Sequence, residues 1–134
     1  MSDRAQIEKT LRAAYAARKR GDLDAIGNIF APDAHFQMAG SNASPIASKA
    51  VGAEPFRTLL AGLIKTFEIL DYTIVSMLID GSSAAVHWHA KMRSSITGQT
   101  VETDLLDLIE VEDGRIASFL EFCDTALAAR MMQK

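Results

Sequence analysis

Of the 134 residues only one, Cys123, is a cysteine, so the chain has no internal disulfide. A reducing, cytoplasmic compartment is the expectation. Cationic side chains are in the minority, 14 Lys and Arg against 17 Asp and Glu, and they form no run. That balance argues against nucleic acid as a partner. No apolar stretch approaches the roughly 20 residues of a membrane helix. The longest, such as Leu59-Leu60-Ala61-Gly62-Leu63-Ile64, is far shorter, so no membrane partner is expected. The start, Met1-Ser2-Asp3-Arg4, lacks the apolar centre of a secretory signal. A glycine-rich phosphate loop is missing, as is any Ser/His/Asp arrangement at a recognisable spacing.

Apolar residues are plentiful, at 49%. A soluble domain averages about 45–50% with glycine included. At this length the chain is expected to be one domain, residues 1–134, with more apolar surface than a small core needs.

The first half reads as helical. Ile7, Leu11, Ala14 and Arg18 follow the 3-and-4 spacing of one helix face, with Tyr15 four residues after Leu11. Ser2 or Asp3 can cap the start, and Gly21 stops the helix. Asp22 caps a second helix, Leu23 to Phe30, that ends before Pro32. A short strand, about Ala34 to Gln37, follows. Residues 38–54 are dominated by small and turn-forming types and read as one long loop, either a lid or a surface insertion. Pro55 then stands at a helix start, and Phe56, Leu59, Leu60, Leu63, Ile64 and Phe67 form an apolar stripe.

The period then changes to two. Strands are predicted at about Glu68–Ile79, Ala84–Ser95, Gln99–Glu112 and Ile116–Phe122. Turn signals separate them at Asp80-Gly81, Thr97-Gly98 and Glu112-Asp113-Gly114. Asp124 caps a short final segment. Helices followed by an antiparallel meander make an α+β fold, with the helices covering one sheet face.

Alternation along the strands assigns the faces. Ala84, Val86, Trp88, Ala90 and Met92 form a buried face, opposite His87, His89, Lys91 and Arg93. On the next strand two residues break the pattern. Asp107 is a carboxylate in the middle of the apolar face Val101–Val111. Leu106 and Leu108 are apolar residues in the middle of the polar face. A carboxylate facing a core is costly unless paired or protonated, and such perturbed acids concentrate at functional sites. The leucine pair calls for a cover, and a second copy of the sheet is the simplest one, giving a homodimer.

Four segments, in this order and spacing, resemble one family: residues 15–26 (Tyr-Ala-Ala-Arg-Lys-Arg-Gly-Asp-Leu-Asp-Ala-Ile), 30–36 (Phe-Ala-Pro-Asp-Ala-His-Phe), 113–116 (Asp-Gly-Arg-Ile) and 121–126 (Glu-Phe-Cys-Asp-Thr-Ala). The chain resembles the SnoaL-like and ketosteroid-isomerase-like proteins of the nuclear transport factor 2-like superfamily. The resemblance implies a curved antiparallel sheet wrapped around the N-terminal helices, a cystatin-like α+β cone with a deep apolar pocket. It also implies a dimer on the outer sheet face, where Leu106 and Leu108 sit. Of the three groups steroid isomerases use, the aspartate base falls on Met38, which cannot take a proton. The tyrosine falls on Ala14, one residue before Tyr15. The aspartic acid kept neutral by its apolar site falls on Asp107. The resemblance favours an inward Glu121, although alternation alone leaves its face open. Glu121 and Asp107 would then be neighbours that cannot easily both ionise. Phe36, Met38, Phe56, Leu60, Phe67, Trp88, Met92 and Phe119 are expected to wall the pocket, with His35 at its mouth.

The spacing of Gly81, His87 and His89 matches the opening of a cupin metal motif. Arg93 or Ser94 occupies the place of its glutamate, no later histidine follows, and Lys91 and Arg93 repel a cation. No metal and no cofactor are expected. The expected ligand is a small hydrophobic molecule. The expected activity is cofactor-free acid/base chemistry beside a carbonyl (isomerisation, cyclisation or dehydration) through Asp107, Glu121 and Tyr15. The alternatives are a non-catalytic ligand-binding protein and a dimeric interaction module.

Overall fold

In the computed structural model, which describes residues 3–133, the chain runs as four helices and six strands. Helix α1 (Arg4–Arg20) starts where the Asp3 carboxylate accepts the Gln6 N–H at 2.7 Å. It ends at Gly21, whose φ of 71° only glycine adopts freely, and whose N–H returns to the carbonyls of Ala17 and Arg18. Ser2, the other candidate cap, lies outside the described residues. Helix α2 (Leu23–Ile29) is capped by Asp22 and stops one residue early, because Phe30 already begins strand β1 (Phe30–Met38). That strand is longer than predicted. Pro32 sits in it without cost, since the pairing with β6 is interrupted between Phe30 and His35.

The predicted long loop contains a strand, β2 (Ser48–Val51), paired antiparallel with His35–Met38. Its Ser-Lys-Ala-Val sequence has little strand propensity, so the neighbouring strand makes it. Helix α3 (Ala53–Thr66) buries Phe56, Leu60 and Leu63. Then come β3 (Phe67–Asp80), β4 (Ser83–Ser94), β5 (Thr100–Glu112) and β6 (Arg115–Phe122), each within two residues of the predicted bounds. Helix α4 (Thr125–Met131) is capped by the Asp124 carboxylate.

The six strands form one curved sheet in the order β2-β1-β6-β5-β4-β3. The meander is antiparallel, but β1 joins β6 in parallel, so the sheet is mixed. The predicted α+β cone is the observed fold. The buried residues of α1, α2 and α3 belong to one core with those of the strands. The inward face of β4 is the predicted one: Ala84, Val86, Trp88, Ala90 and Met92 are all buried.

Candidate active site

The polar side chains of the interior come from four elements. Register places Asp107 of β5 directly opposite Glu121 of β6, and both are fully buried. Tyr15 and Arg18 project from the last two turns of α1, three residues apart and therefore on one face. Trp88 comes from β4.

These five side chains form one network. The Tyr15 hydroxyl donates to Oδ2 of Asp107 in a short hydrogen bond. The Trp88 indole N–H donates to the same oxygen at 2.8 Å. Arg18 donates to both oxygens of Glu121, at 2.7 and 2.9 Å, in the fork geometry only arginine provides. The Arg18 guanidinium also lies over the Trp88 ring, 5.4 Å from its centre. Oδ1 of Asp107 has no partner among the described residues.

The protonation pattern follows from this arrangement. Burial pushes the Asp107 carboxyl well above the usual carboxylate range, and the charge of Glu121 beside it adds to the shift. For Glu121 burial acts in the same direction, but the Arg18 guanidinium outweighs it and holds the carboxyl low. The pair therefore splits: Asp107 keeps its proton and Glu121 is ionised against Arg18. The proton then belongs on the otherwise unpartnered Oδ1, leaving Oδ2 to accept from Tyr15 and Trp88. Burial and the adjacent Asp107 raise the Tyr15 hydroxyl far above its normal range, so it remains a neutral donor. Burial, then the charges of Glu121 and Asp124, push the Cys123 thiol up to about 11, which makes it a poor nucleophile.

Arg18 lines a polar cleft of about 390 Å³ with Lys19, Arg20, Lys65, Glu68 and Arg93, and the apolar space beside the network is small and divided. One cavity of about 40 Å³ lies under α4, lined by Arg18, Glu121, Met38, Phe67, Met92 and Met131 among others. A second, of about 20 Å³, is lined by Tyr15, Arg18, Phe36, Phe56, Leu60 and Phe119 among others. A water needs roughly 10–15 Å³ by the same kind of measure, so the larger cavity has room for about three. The expected single deep pocket is closed because aromatic rings fill it. Phe30 stacks on Phe56 at 4.4 Å and Phe36 on Phe119 at 5.4 Å. Trp88 is buried and lines neither cavity. His35 is exposed, so it does not stand at a pocket mouth: it alternates with Ala34 and Phe36, which take the inward positions.

Arg18 is the functional residue that the assignment of roles from sequence missed. The signal was present, since Arg18 continues the inward stripe of Ile7, Leu11 and Ala14. It is the helical counterpart of the break at Asp107.

On the outer face, His87 and His89 share one carboxylate oxygen of Asp104, at 3.2 and 3.1 Å, and His89 also meets Glu102 at 3.3 Å. No group of three or more His, Cys, Asp or Glu side chains is placed to hold a metal ion among the described residues. No helix there is long and apolar enough to cross a membrane.

Comparison with known proteins agrees with the fold. Residues 11–119 match the SnoaL-like domain family. A search of curated proteins finds no match. Among solved structures, an NTF2-like protein from Burkholderia xenovorans LB400 aligns over 99% of both chains, at 23% identity and a TM-score of 0.79. An NTF2-like protein of unknown function from Burkholderia pseudomallei K96243 covers 100% of both chains at 20% identity, with a TM-score of 0.83. An LEH-like epoxide hydrolase from M. tuberculosis covers 96% of this chain and 90% of its own at 17% identity, with a TM-score of 0.75. Likeness at these identities concerns the fold alone.

Proposed function

We propose, for a chain that belongs to the SnoaL-like domain family, that its interior binds a small apolar molecule carrying one oxygen function. We further propose that it moves a proton there without a cofactor. The observation that carries this reading is the split carboxyl pair. Asp107 and Glu121 are wholly buried, face each other across two strands, and are driven to opposite protonation states. An acid and a base held side by side at neutral pH are the requirement for proton transfer next to a carbonyl. In this reading Asp107 donates to the carbonyl oxygen as negative charge develops on it. Tyr15 and Trp88 steady the aspartate, and Glu121, the member that reaches the larger cavity, receives the proton from carbon.

Admission of such a molecule requires the cavity to grow, since sites for small ligands usually offer about 300–1,000 Å³. The cover over that cavity is α4, through Leu127, Ala128 and Met131, and only Ala128 and Met131 of its seven residues are buried. We propose that its displacement opens the cone.

The test is hydrogen exchange beside the carbonyl of a simple ketone, cyclohexanone, followed by NMR in heavy water. The expected result is exchange above the buffer rate, reduced about 100-fold or more in both Asp107→Asn and Glu121→Gln. Exchange at the buffer rate for the unaltered protein contradicts the catalytic reading and leaves ligand binding. That second reading is favoured by one observation: the Arg18 clamp makes Glu121 a weak base as it stands.

The assembly proposed with this site is a homodimer through the outer sheet face. Leu106 and Leu108 are 40% and 43% exposed. Register aligns Leu78, Ala85, Leu108 and Leu120 in one apolar row across four strands, with Leu106 and Phe122 in the row beside it. A patch that spans the sheet is of the kind that a second copy, turned about a two-fold axis, would cover.

A further inference from the structure

Within the reading just given, Glu121 has to lose Arg18 before it becomes a useful base. The geometry shows what could take its place. Arg18 lines both small cavities and the polar cleft, and its side chain is only 12% exposed. Its guanidinium rests on the Trp88 ring, a seat that does not depend on Glu121. The Asp107 oxygen Oδ1 is buried and has no hydrogen-bond partner among the described residues. The other titratable groups at the larger cavity are Cys123 and Asp124. The thiol is neutral, with its pKa pushed up to about 11. Asp124 is exposed at the rim, and its carboxylate accepts the Leu127 N–H. On the far side, Tyr15 stays a neutral donor.

Charge counting then limits the ligand. At rest the buried site is neutral, with Arg18 positive, Glu121 negative and Asp107 protonated. An uncharged apolar ligand leaves the Arg18–Glu121 clamp in place unless an oxygen on it becomes enolate-like. A ligand with a carboxylate or enolate-like oxygen competes for the guanidinium, and its extra negative charge is too costly to bury unless one proton enters with it. Glu121, released from Arg18, is the group to accept that proton.

From this geometry we propose that the site takes an apolar monoanion, a hydrocarbon body with one carboxylate or enolate-type oxygen, which displaces Glu121 from Arg18 as Glu121 gains one proton. The inference rests on the proposed function only in placing the ligand in the cavity beside Glu121. For an anion without an acidic C–H the proton comes from solvent. For an uncharged ligand with a C–H bond beside a carbonyl, the monoanion forms in the site and the same proton comes from that carbon: the C–H bond breaks, its electron pair enters the enolate, and Glu121 keeps the proton.

The experiment is calorimetric titration of the full chain with hexanoate and, separately, hexan-1-ol, at neutral pH in two buffers of different protonation enthalpy. Hexanoate is expected to bind with uptake of about one proton, and its affinity to fall about tenfold for each unit rise in pH. Hexan-1-ol is expected to bind with no proton uptake and no pH dependence. In Glu121→Gln, hexanoate is expected to bind about tenfold or more tightly than in the unaltered protein, without proton uptake. Hexanoate binding without proton uptake in the unaltered protein overturns the exchange. The alcohol binding while hexanoate does not overturns the ligand class, with the cavity reading intact. Failure of both to bind overturns both readings. The buffer comparison on the unaltered protein needs no variant to fold.

Discussion

Asp107 and Arg18 are two charged residue types set on inward faces, and both were visible in the sequence as interruptions of an apolar period. Asp107 stood out because a strand alternates strictly, so one carboxylate among Leu105, Ile109 and Val111 has no benign position. Arg18 was harder to single out. It lies in the last turn of a helix, where a basic side chain is ordinarily solvated and favoured by the helix dipole. The bidentate contact that gives it meaning comes from residue 121, more than a hundred positions away. The two carboxyls have opposite consequences for stability. Burial raises the Asp107 pKa in the native state, so the unfolded chain loses that proton first as the pH rises. Native stability therefore declines from the ordinary aspartate range up to the raised native value. Glu121 is held low by Arg18 against the opposing effect of burial, so its contribution is present above the ordinary glutamate value and is lost as the pH falls through the lowered one. Asp107→Asn is expected to abolish the decline on the alkaline side while leaving the acid limb, as measured by urea unfolding over a pH series. Arg18→Met strands Glu121 as an unpaired buried carboxyl. It is expected to cost about 3–5 kcal/mol at neutral pH by the same measurement, with partial recovery in acid as Glu121 protonates.

At the scale of the element, strands β3 to β6 and helices α1 and α3 were legible because period and turn chemistry agree along them. The Asp113-Gly114 turn, with φ values of 50° and 78°, is an example, since few other residue pairs adopt that geometry readily. Strand β2 was not legible, because in Ser48-Lys49-Ala50-Val51 only Val51 favours extension before β1 offers hydrogen bonds. Closure of the cone was not legible either. It depends on how Phe30, Phe36, Phe56 and Phe119 pack, and on where α4 lands. That helix is fastened by one buried hydroxyl. Ser94 donates to the Met131 carbonyl and accepts the N–H groups of Ile96 and Thr97, both at 3.1 Å. Ser94→Ala is expected to destabilise the protein by about 1–3 kcal/mol and to speed amide hydrogen exchange over residues 125–133 more than in β4 and β5. If α4 is the cover over the cavity, the same variant admits hexanoate faster than the unaltered protein does.

For the whole molecule, two breaks in alternation on one strand point to opposite sides of the sheet. Asp107 looks into the cone, and Leu106 and Leu108 look away from it. The high apolar content noted in the sequence is thereby divided between a ring-filled interior and an outer row running from Leu78 to Leu120. Leu108→Glu at the centre of that row is expected to yield monomers in sedimentation, with the unfolding transition little changed when extrapolated to infinite dilution. An unaltered protein that sediments as a monomer would contradict the proposed assembly and leave the interior site untouched. The interior site depends on a single electrostatic feature: two buried carboxyls hold one proton between them. Carbon-detected NMR titration of the aspartate and glutamate carboxyls tests this directly. At neutral pH the Asp107 carboxyl carbon is expected to show the shift of the protonated acid while that of Glu121 shows the ionised form, with Glu121 titrating only below the ordinary glutamate range. An ionised Asp107 at neutral pH would contradict it.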